Sequence, residues 1–220
     1  SAIKRYADFF GVACGEKNIL FTNNDSAYET AISLIQKGIN IEAIIDNREE
    51  VDSKLVYEVE KNNIKIFKGY TVTDTFGYKR INRISIKQLS KDGQKVIGSR
   101  INLSCDCLGV SGGWTPAVHL FTQSGGKLKF RDEDQVFIPN IYPSDQLSIG
   151  SCNGDFTLDE ILINTPKSLK EFLNIKNTEY ENLEVVSSTN KLKRNIWLLP
   201  SDKVLGKTKS FVDYQNDATA

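Results

Sequence analysis

The residues best placed to do chemistry are the run Phe21-Thr22-Asn23-Asn24-Asp25-Ser26-Ala27 and, further on, Asp46-Asn47-Arg48. A strand running into a helix N-terminus presents unpaired backbone N–H groups, and these suit a phosphate or pyrophosphate. An acid closing the next strand, about 20 residues on, is where dinucleotide folds hold an adenosine ribose. Asp46 follows Asp25 by 21 positions, so the spacing fits. A carboxylate there accepts the ribose hydroxyls and repels a 2′-phosphate, favouring NAD over NADP, while Arg48 works against that preference. The usual G-x-G-x-x-G fingerprint is absent. Asparagine tolerates left-handed backbone angles, which keeps the turn available at Asn23 and Asn24. Asp25 must cap the helix and point away if a pyrophosphate is to approach. The alternative is a structural βαβ unit that binds nothing.

Two further turns follow apolar runs, Ser111-Gly112-Gly113 and Gly150-Ser151-Cys152-Asn153-Gly154. Each lets a backbone approach something closely, although a glycine pair is more often an ordinary tight turn. His119 reads as a packed or surface histidine, and Asp132-Glu133-Asp134 as a solvated loop. No serine or cysteine has a nucleophile context, so no catalytic residue is assigned. Cys105 and Cys107 are two apart and in one strand would share a face, where disulfide geometry does not fit. With a single histidine and no C-x2-C pair, no metal motif is present. Four cysteines at this length point to reduced, structural thiols in a cytoplasmic protein, a redox role for the Cys105/Cys107 pair being the alternative.

The elements that must position these residues follow from the hydrophobic pattern. Asn18–Thr22 has the length of a buried strand, and Ala27, Ala31, Leu34 and Ile35 recur at helical spacing up to a stop at Gly38. Residues 41–46 form a second strand ending on an acid, 53–62 a second helix closed by Asn63, and 64–67 a third strand. Strand, capped turn, helix, strand is the order of a parallel βαβ unit. Residues 72–75, 81–88 and 96–103 alternate apolar and polar residues between turn signals, as an antiparallel meander does. Another apolar strand spans 105–110. Beyond it the pattern predicts strands at 136–139 and 147–150, and a helix from Leu158 that Thr165-Pro166 terminates. Residues 167–194 read as a connecting segment, and 196–200 and 211–213 as apolar islands that pack back onto the body.

With 28 basic and 28 acidic residues the formal charge is zero, which argues against nucleic acid or an anionic membrane as the main partner. Hydrophobic residues make up 40%, enough for a real core rather than wholesale disorder. No apolar run approaches the ~18 residues of a membrane span, and the N-terminus has no signal-peptide pattern. The chain has no methionine, even at position 1, which leads to the expectation of a piece or processed product of something longer.

Three separated blocks carry a more specific signal. Phe21-Thr22-Asn23-Asn24-Asp25-Ser26-Ala27-Tyr28 resembles the glycine-less dinucleotide turn of the alpha subunit of heterotetrameric sarcosine oxidase. The run from Val110-Ser111-Gly112-Gly113-Trp114 to His119-Leu120, with Gln123-Ser124-Gly125-Gly126-Lys127-Leu128, resembles the same family, and so does the terminal Phe211-Val212-Asp213-Tyr214-Gln215-Asn216-Asp217-Ala218-Thr219-Ala220. The resemblance implies an α/β fold related to the pyridine nucleotide-disulfide oxidoreductases. It comprises a Rossmann-like NAD-binding domain, with parallel sheet and antiparallel meander, and part of an FAD-binding domain. Residues 1–16 would be a linker from an absent FAD-domain half, 17–116 the NAD-binding domain, and 117–165 the C-terminal portion of the FAD domain. Residues 166–220 would connect to a small helical domain.

By the same resemblance Thr22, Asn23, Asn24, Asp25 and Ser26 would face the pyrophosphate, and Asp46, Asn47 and Arg48 the ribose. Ser111, Gly112 and Gly113 would lie near the nicotinamide half, and Gly150, Asn153 and Gly154 at a flavin-contacting turn. The related reductases usually carry an aspartate after that turn's first glycine; Ser151-Cys152-Asn153 stand here. Beta, gamma and delta subunits would be the partners. The family's reaction is the oxidation of sarcosine to glycine with hydrogen peroxide and transfer of the one-carbon unit to tetrahydrofolate. This piece would not perform it alone, because the FAD site is incomplete. The other function considered is a non-catalytic assembly domain with a degenerate nucleotide site.

Overall fold

A computed structural model describes residues 2–51, 54–143, 145–175, 199–202, 211–213 and 218–219. They fall into two compact units, the first within Ser1–Gly113 and Leu192–Ala220 and the second within Trp114–Lys191.

The first unit is built on strands β1 (Asn18–Thr22), β2 (Ile41–Asp46), β3 (Lys65–Lys68) and β7 (Cys107–Ser111). They form one parallel sheet in the order β3-β2-β1-β7. Parallel neighbours need crossovers, and helices α2 (Ser26–Ile35) and α3 (Lys54–Lys61) supply them. Between β3 and β7 the chain makes the expected antiparallel meander, β4 (Tyr70–Gly77), β5 (Ile81–Leu89) and β6 (Val96–Ser104). The parallel sheet is covered on both faces. Leu20 and Ile44 point to the helices, joining Tyr28, Ala31, Leu34, Val56 and Val59. Ile19, Phe21, Ala43 and Ile45 point the other way, to Ile84, Ile86 and Cys105 of the meander side. This two-sided burial is why β1 and β2 read as continuous apolar runs rather than alternating ones. Each fully buried isoleucine contributes roughly 1.5–3 kcal/mol. The fold class is as expected, a Rossmann-like α/β arrangement with parallel and antiparallel sheets.

Several details differ from the sequence reading. Helix α1 (Ala2–Phe10), which buries Ala7, was not anticipated. It lies close to β7, where a Cβ at Gly109 would come within 2.6 Å of the Ile3 side chain and 2.7 Å of Leu20, so a side chain there would force both to shift. Cys105 and Cys107 do not share a strand or a face. The Cys105 amide donates to the Asn82 carbonyl at 3.2 Å, and the residue is buried on the meander side. Asp106 lies at a bend between the two strands, and Cys107 opens β7. The two-residue alternation does not carry across that break.

The second unit contains α4 (His119–Gln123), the antiparallel pair β8 (Lys127–Arg131) and β9 (Val136–Ile141), and α5 (Leu158–Phe172). Phe121, Val136 and Ile138 are among its buried apolar residues, and the Phe121 ring meets Tyr142 edge-on at 4.9 Å. Neither α4 nor β8 was expected. The strand expected at 147–150 is absent: Ile149 is extended but unpaired, and Gly150, at φ +64°, turns the chain into a single 3-10 turn, Gly150–Asn153. Pro166 does not end α5 but lies inside it. It lacks the N–H that would bond Leu162, yet half-buried positions Ile161, Asn164, Thr165, Ser168 and Leu169 recur at helical spacing on both sides of the gap. The Thr157/Glu160 capping box fixes the start of the helix. His119 and Asp132 are exposed, while Asp134 pairs with Arg131.

Of the two late apolar islands, Leu199 packs against the meander-side core, with Asp202 held 2.9 Å from Lys87. Ile196 and Trp197 lie outside the described residues. Strands β10 (Phe211–Asp213) and β11 (Ala218–Thr219) pair antiparallel. No helix among the described residues is long and apolar enough to cross a membrane.

Asp106 ties the segment before β1 to the start of β7: its carboxylate accepts the amides of Glu16 at 2.9 Å and Lys17 at 2.8 Å. These two bonds hold its pKa below the ordinary carboxylate value. A group whose folded pKa is depressed stabilises the fold above its unfolded value of about 3.9, and that contribution disappears as pH falls through the folded value. Asp106→Asn should therefore lower the urea midpoint at pH 7, and its difference from the parent chain should shrink below about pH 4. A difference that stays constant with pH would show that the charge is not what matters.

Candidate dinucleotide-binding site

From β1 the chain proceeds outward through β2 and β3, and β7 returns on the other side of β1. The sheet therefore changes direction between β1 and β7, and ligands of open α/β sheets bind at the carboxyl ends of strands at such a switch point. The turn after β1 and the glycine turn after β7 meet there. The Asn23 amide donates to the Ser111 carbonyl at 3.4 Å, and its side-chain Nδ2 donates to the Gly112 carbonyl at 3.0 Å. Asn24 Nδ2 reaches the Ser111 carbonyl at 3.2 Å and its hydroxyl at 3.1 Å. Thus 22–26 and Ser111, Gly112 and Gly113, two sets picked out separately in the sequence, form one surface. Gly112 and Gly113 are exposed on it.

Side chains hold the turn in place of glycines. Thr22 Oγ1 accepts the Asn24 amide at 3.1 Å and donates to the Asn24 carbonyl at 2.9 Å. Asn24 Oδ1 accepts the Ser26 amide at 3.1 Å and the Ser26 hydroxyl at 2.5 Å. Among the described residues, positive φ outside glycine occurs at Asn63, Gln135 and Asn174, so neither Asn23 nor Asn24 uses the left-handed conformation expected of it. The asparagines serve through their amides instead. Asn24 and Ser26 thus spend their own N–H groups on side-chain oxygens, whereas none of these bonds uses the amides of Asp25 and Ala27.

Asp25 occupies the N-cap position without a side-chain cap bond. Its carboxylate turns instead to Arg48, whose guanidinium donates to it at 2.8 Å. The same Arg48 nitrogen donates to Asp46 at 2.7 Å, Arg48 Nε donates at 3.1 Å, and the Arg48 amide adds a bond of 2.9 Å. Tyr28 from α2 donates its hydroxyl to Asp46 at 3.0 Å. Asp46 is fully buried, and both its oxygens are taken by these donors. Burial alone would lower the Arg48 pKa, but its bonds to Asp46 and Asp25 outweigh that and raise it. Burial, followed by the Asp46 charge, raises the Tyr28 pKa, so its hydroxyl stays a donor. The cluster carries two negative charges and one positive. The sequence placed Asp46 and Arg48 at one ribose site but gave no sign of Tyr28 or of the Asp25 pairing, since no local pattern marks contacts 18 and 23 residues apart.

Gly150, Asn153 and Gly154 belong to the second unit. The chain enters and leaves their 3-10 turn through positive φ at both glycines, and Arg131 donates to the Gly154 carbonyl at 2.8 Å.

Removing one partner of a buried ion pair leaves an uncompensated charge, at a cost of about 3–5 kcal/mol. Arg48→Ala should destabilise the chain by about that amount in urea unfolding. The double variant Arg48→Met with Asp46→Asn should cost less than the single one, because the wholly buried Asp46 charge is no longer stranded and only the less buried Asp25 loses its partner. Equal costs would mean that the Arg48 side chain contributes packing alone.

No family model matches the chain. Among curated proteins it is similar to sarcosine oxidase subunit alpha of Corynebacterium sp. (strain P-1), 27% identical over 232 residues, covering 99% of this chain and 23% of that protein. Sarcosine oxidase subunit alpha of Rhizobium meliloti (strain 1021) is 28% identical over 138 residues, covering 62% of this chain and 13% of that one. Among solved structures, T. acidophilum thioredoxin reductase superposes with a TM-score of 0.52 at 18% identity, over 72% of this chain and 52% of that one. The HOCl-induced flavoprotein disulfide reductase of Escherichia coli gives 0.51 at 12% identity, over 73% and 36%. These two likenesses bear on the fold. The chain spans about a quarter of the length of the Corynebacterium protein, and over nearly its whole length it is similar to sarcosine oxidase subunit alpha.

Proposed function

We propose that this chain is a dinucleotide-binding part of the alpha subunit of a sarcosine-oxidase-type, flavin-dependent oxidoreductase. The observation that carries this reading is the meeting of the turn at 22–26 with Ser111, Gly112 and Gly113 at the switch point between β1 and β7. Thr22, Asn23, Asn24, Asp25 and Ser26 would hold the pyrophosphate side, with the amides of Asp25 and Ala27 available to an anion. Ser111, Gly112 and Gly113 would line the path to the nicotinamide half. The acid ending β2 and the net negative Asp25–Arg48–Asp46 cluster favour NAD over NADP, since a 2′-phosphate would meet two carboxylates and an arginine already committed to them. Asp46, Asn47 and Arg48 would meet the ribose only if Arg48 gives up part of its hold on Asp46.

On the same reading residues 17–116 are the NAD-binding domain and 1–16 lead in from an FAD-domain half outside this chain. Residues 117–165 are the C-terminal portion of the FAD domain, with Gly150, Asn153 and Gly154 at its flavin turn, and 166–220 lead to a further domain. The parent would be a cytoplasmic heterotetramer with beta, gamma and delta subunits, converting sarcosine to glycine, hydrogen peroxide and methylene-tetrahydrofolate. The isolated chain would be inactive.

One observation favours a second reading, an assembly domain whose nucleotide site is closed by its own side chains: Asp46 is wholly buried and saturated by Arg48 and Tyr28. Isothermal titration of the chain with NAD separates the two, with NADP and FAD as controls. Saturable NAD binding that Asp46→Asn weakens about tenfold or more, the worth of hydrogen bonds to a charged group, supports dinucleotide recognition. Absence of heat from a folded sample favours the closed site.

A further inference from the structure

Cys14 and Cys107 are 93 positions apart in sequence, but the fold lays their segments side by side. Asp106, next to Cys107, accepts the amides of Glu16 and Lys17 and donates its own amide to the Lys17 carbonyl at 3.1 Å. Gly15, next to Cys14, has no side chain, and the Cys107 Cβ fills the space: a Cβ built on Gly15 would lie 2.7 Å from it. The Cys107 side chain is thus set against the stretch of chain that carries Cys14. Both residues line a cavity of about 330 Å³ bounded by α1, α2, β1 and β7. Cys14 is exposed and Cys107 half-buried, whereas Cys105 is buried on the opposite side of the sheet and Cys152 belongs to the other unit.

We propose that Cys14 and Cys107 are an oxidisable pair that closes to a reversible intramolecular disulfide when the chain meets hydrogen peroxide. The exposed Cys14 reacts first: its thiolate sulfur attacks one peroxide oxygen, the O–O bond breaks, and the departing hydroxide takes a proton to leave as water. Cys14 is then a sulfenic acid. The Cys107 sulfur attacks it, the S–S bond forms, the S–O bond breaks, and hydroxide departs as water with the Cys107 proton. Two thiols have lost two electrons and two protons, and the peroxide has become two waters. A dithiol reductant reverses the change by exchange. Burial, and then the neighbouring Cys14, raise the Cys107 thiol pKa, so the half-buried Cys107 is not the thiol that starts the reaction. The staple would join the segment after α1 to the first residue of β7. It does not depend on whether the switch point binds a nucleotide.

The test is to expose the full chain to several equivalents of hydrogen peroxide, alkylate the remaining thiols and map the peptides. The expected result is loss of two alkylatable thiols of the four, a Cys14–Cys107 cross-linked peptide and full recovery with dithiothreitol. Cys14→Ser, at an exposed position, should abolish the cross-link and leave Cys107 alkylatable. Cys107→Ser should leave Cys14 to proceed to sulfinic acid. Sulfinic acid at Cys14 in the parent chain, with Cys107 still alkylatable, would overturn the proposal. So would a link to Cys152 or between two chains on a non-reducing gel.

Discussion

The need to bury both faces of a parallel sheet governs the rest of this structure. Parallel strands are joined by crossovers, and a crossover helix necessarily covers a face. Helices α2 and α3 cover one face of β1 and β2, and the meander inserted between β3 and β7 covers the other. Every residue of β1 is buried, including Asn18 and Thr22 at its ends. A polar group at such a strand end must find a partner within the protein or forfeit solvation worth a few kcal/mol. This constraint shapes the carboxyl end of the sheet, where Thr22, Asn23, Asn24 and Asp46 are all buried and bonded.

The turn after β1 shows how the solution works without glycines. A glycine-rich turn brings the backbone close to a ligand by removing side chains. Here the side chains stay and bond to the turn's own backbone, Thr22 to Asn24 and Asn24 to Ser26. The result is a rigid turn joined to β7 through Ser111, and a helix N-terminus with part of its donor capacity already spent. Arg48 performs the same service for Asp46. A carboxylate taken out of water needs a cation and several donors, and Arg48 with Tyr28 supplies them. The cluster thereby links β2, α2 and the turn, so the local electrostatics and the packing of α2 on the sheet are one problem rather than two.

Much of the fold was legible because its signals are local. The apolar runs of β1 and β2, the spacing of Ala27, Ala31 and Leu34, the stop at Gly38 and the alternation of β4 to β6 all report on neighbours in sequence. The failures have equally physical causes. A strand at 147–150 needs a hydrogen-bonding neighbour, and no pattern in the segment itself says that β9 pairs only with β8. Pro166 marks a missing donor, but whether a helix survives the gap depends on what its two halves pack against. The Cys105/Cys107 pair looked like one face of one strand because Asp106 gives no sign in sequence that the chain turns there.

The sequence by itself determined the βαβ order, the meander, the turn residues at 22–26, the acid ending β2 and the glycine pair at 112 and 113, since each is set by periodicity or by the conformational habits of a few adjacent residues. Only the tertiary structure decided that the two turns meet at the β1/β7 switch point, that Asp25 and Asp46 share one arginine, and that Cys14 faces the same cavity as Cys107. They bring together residues 21 to 93 positions apart. They arise from strand order and two-sided burial, and neither is written in any short stretch of the chain.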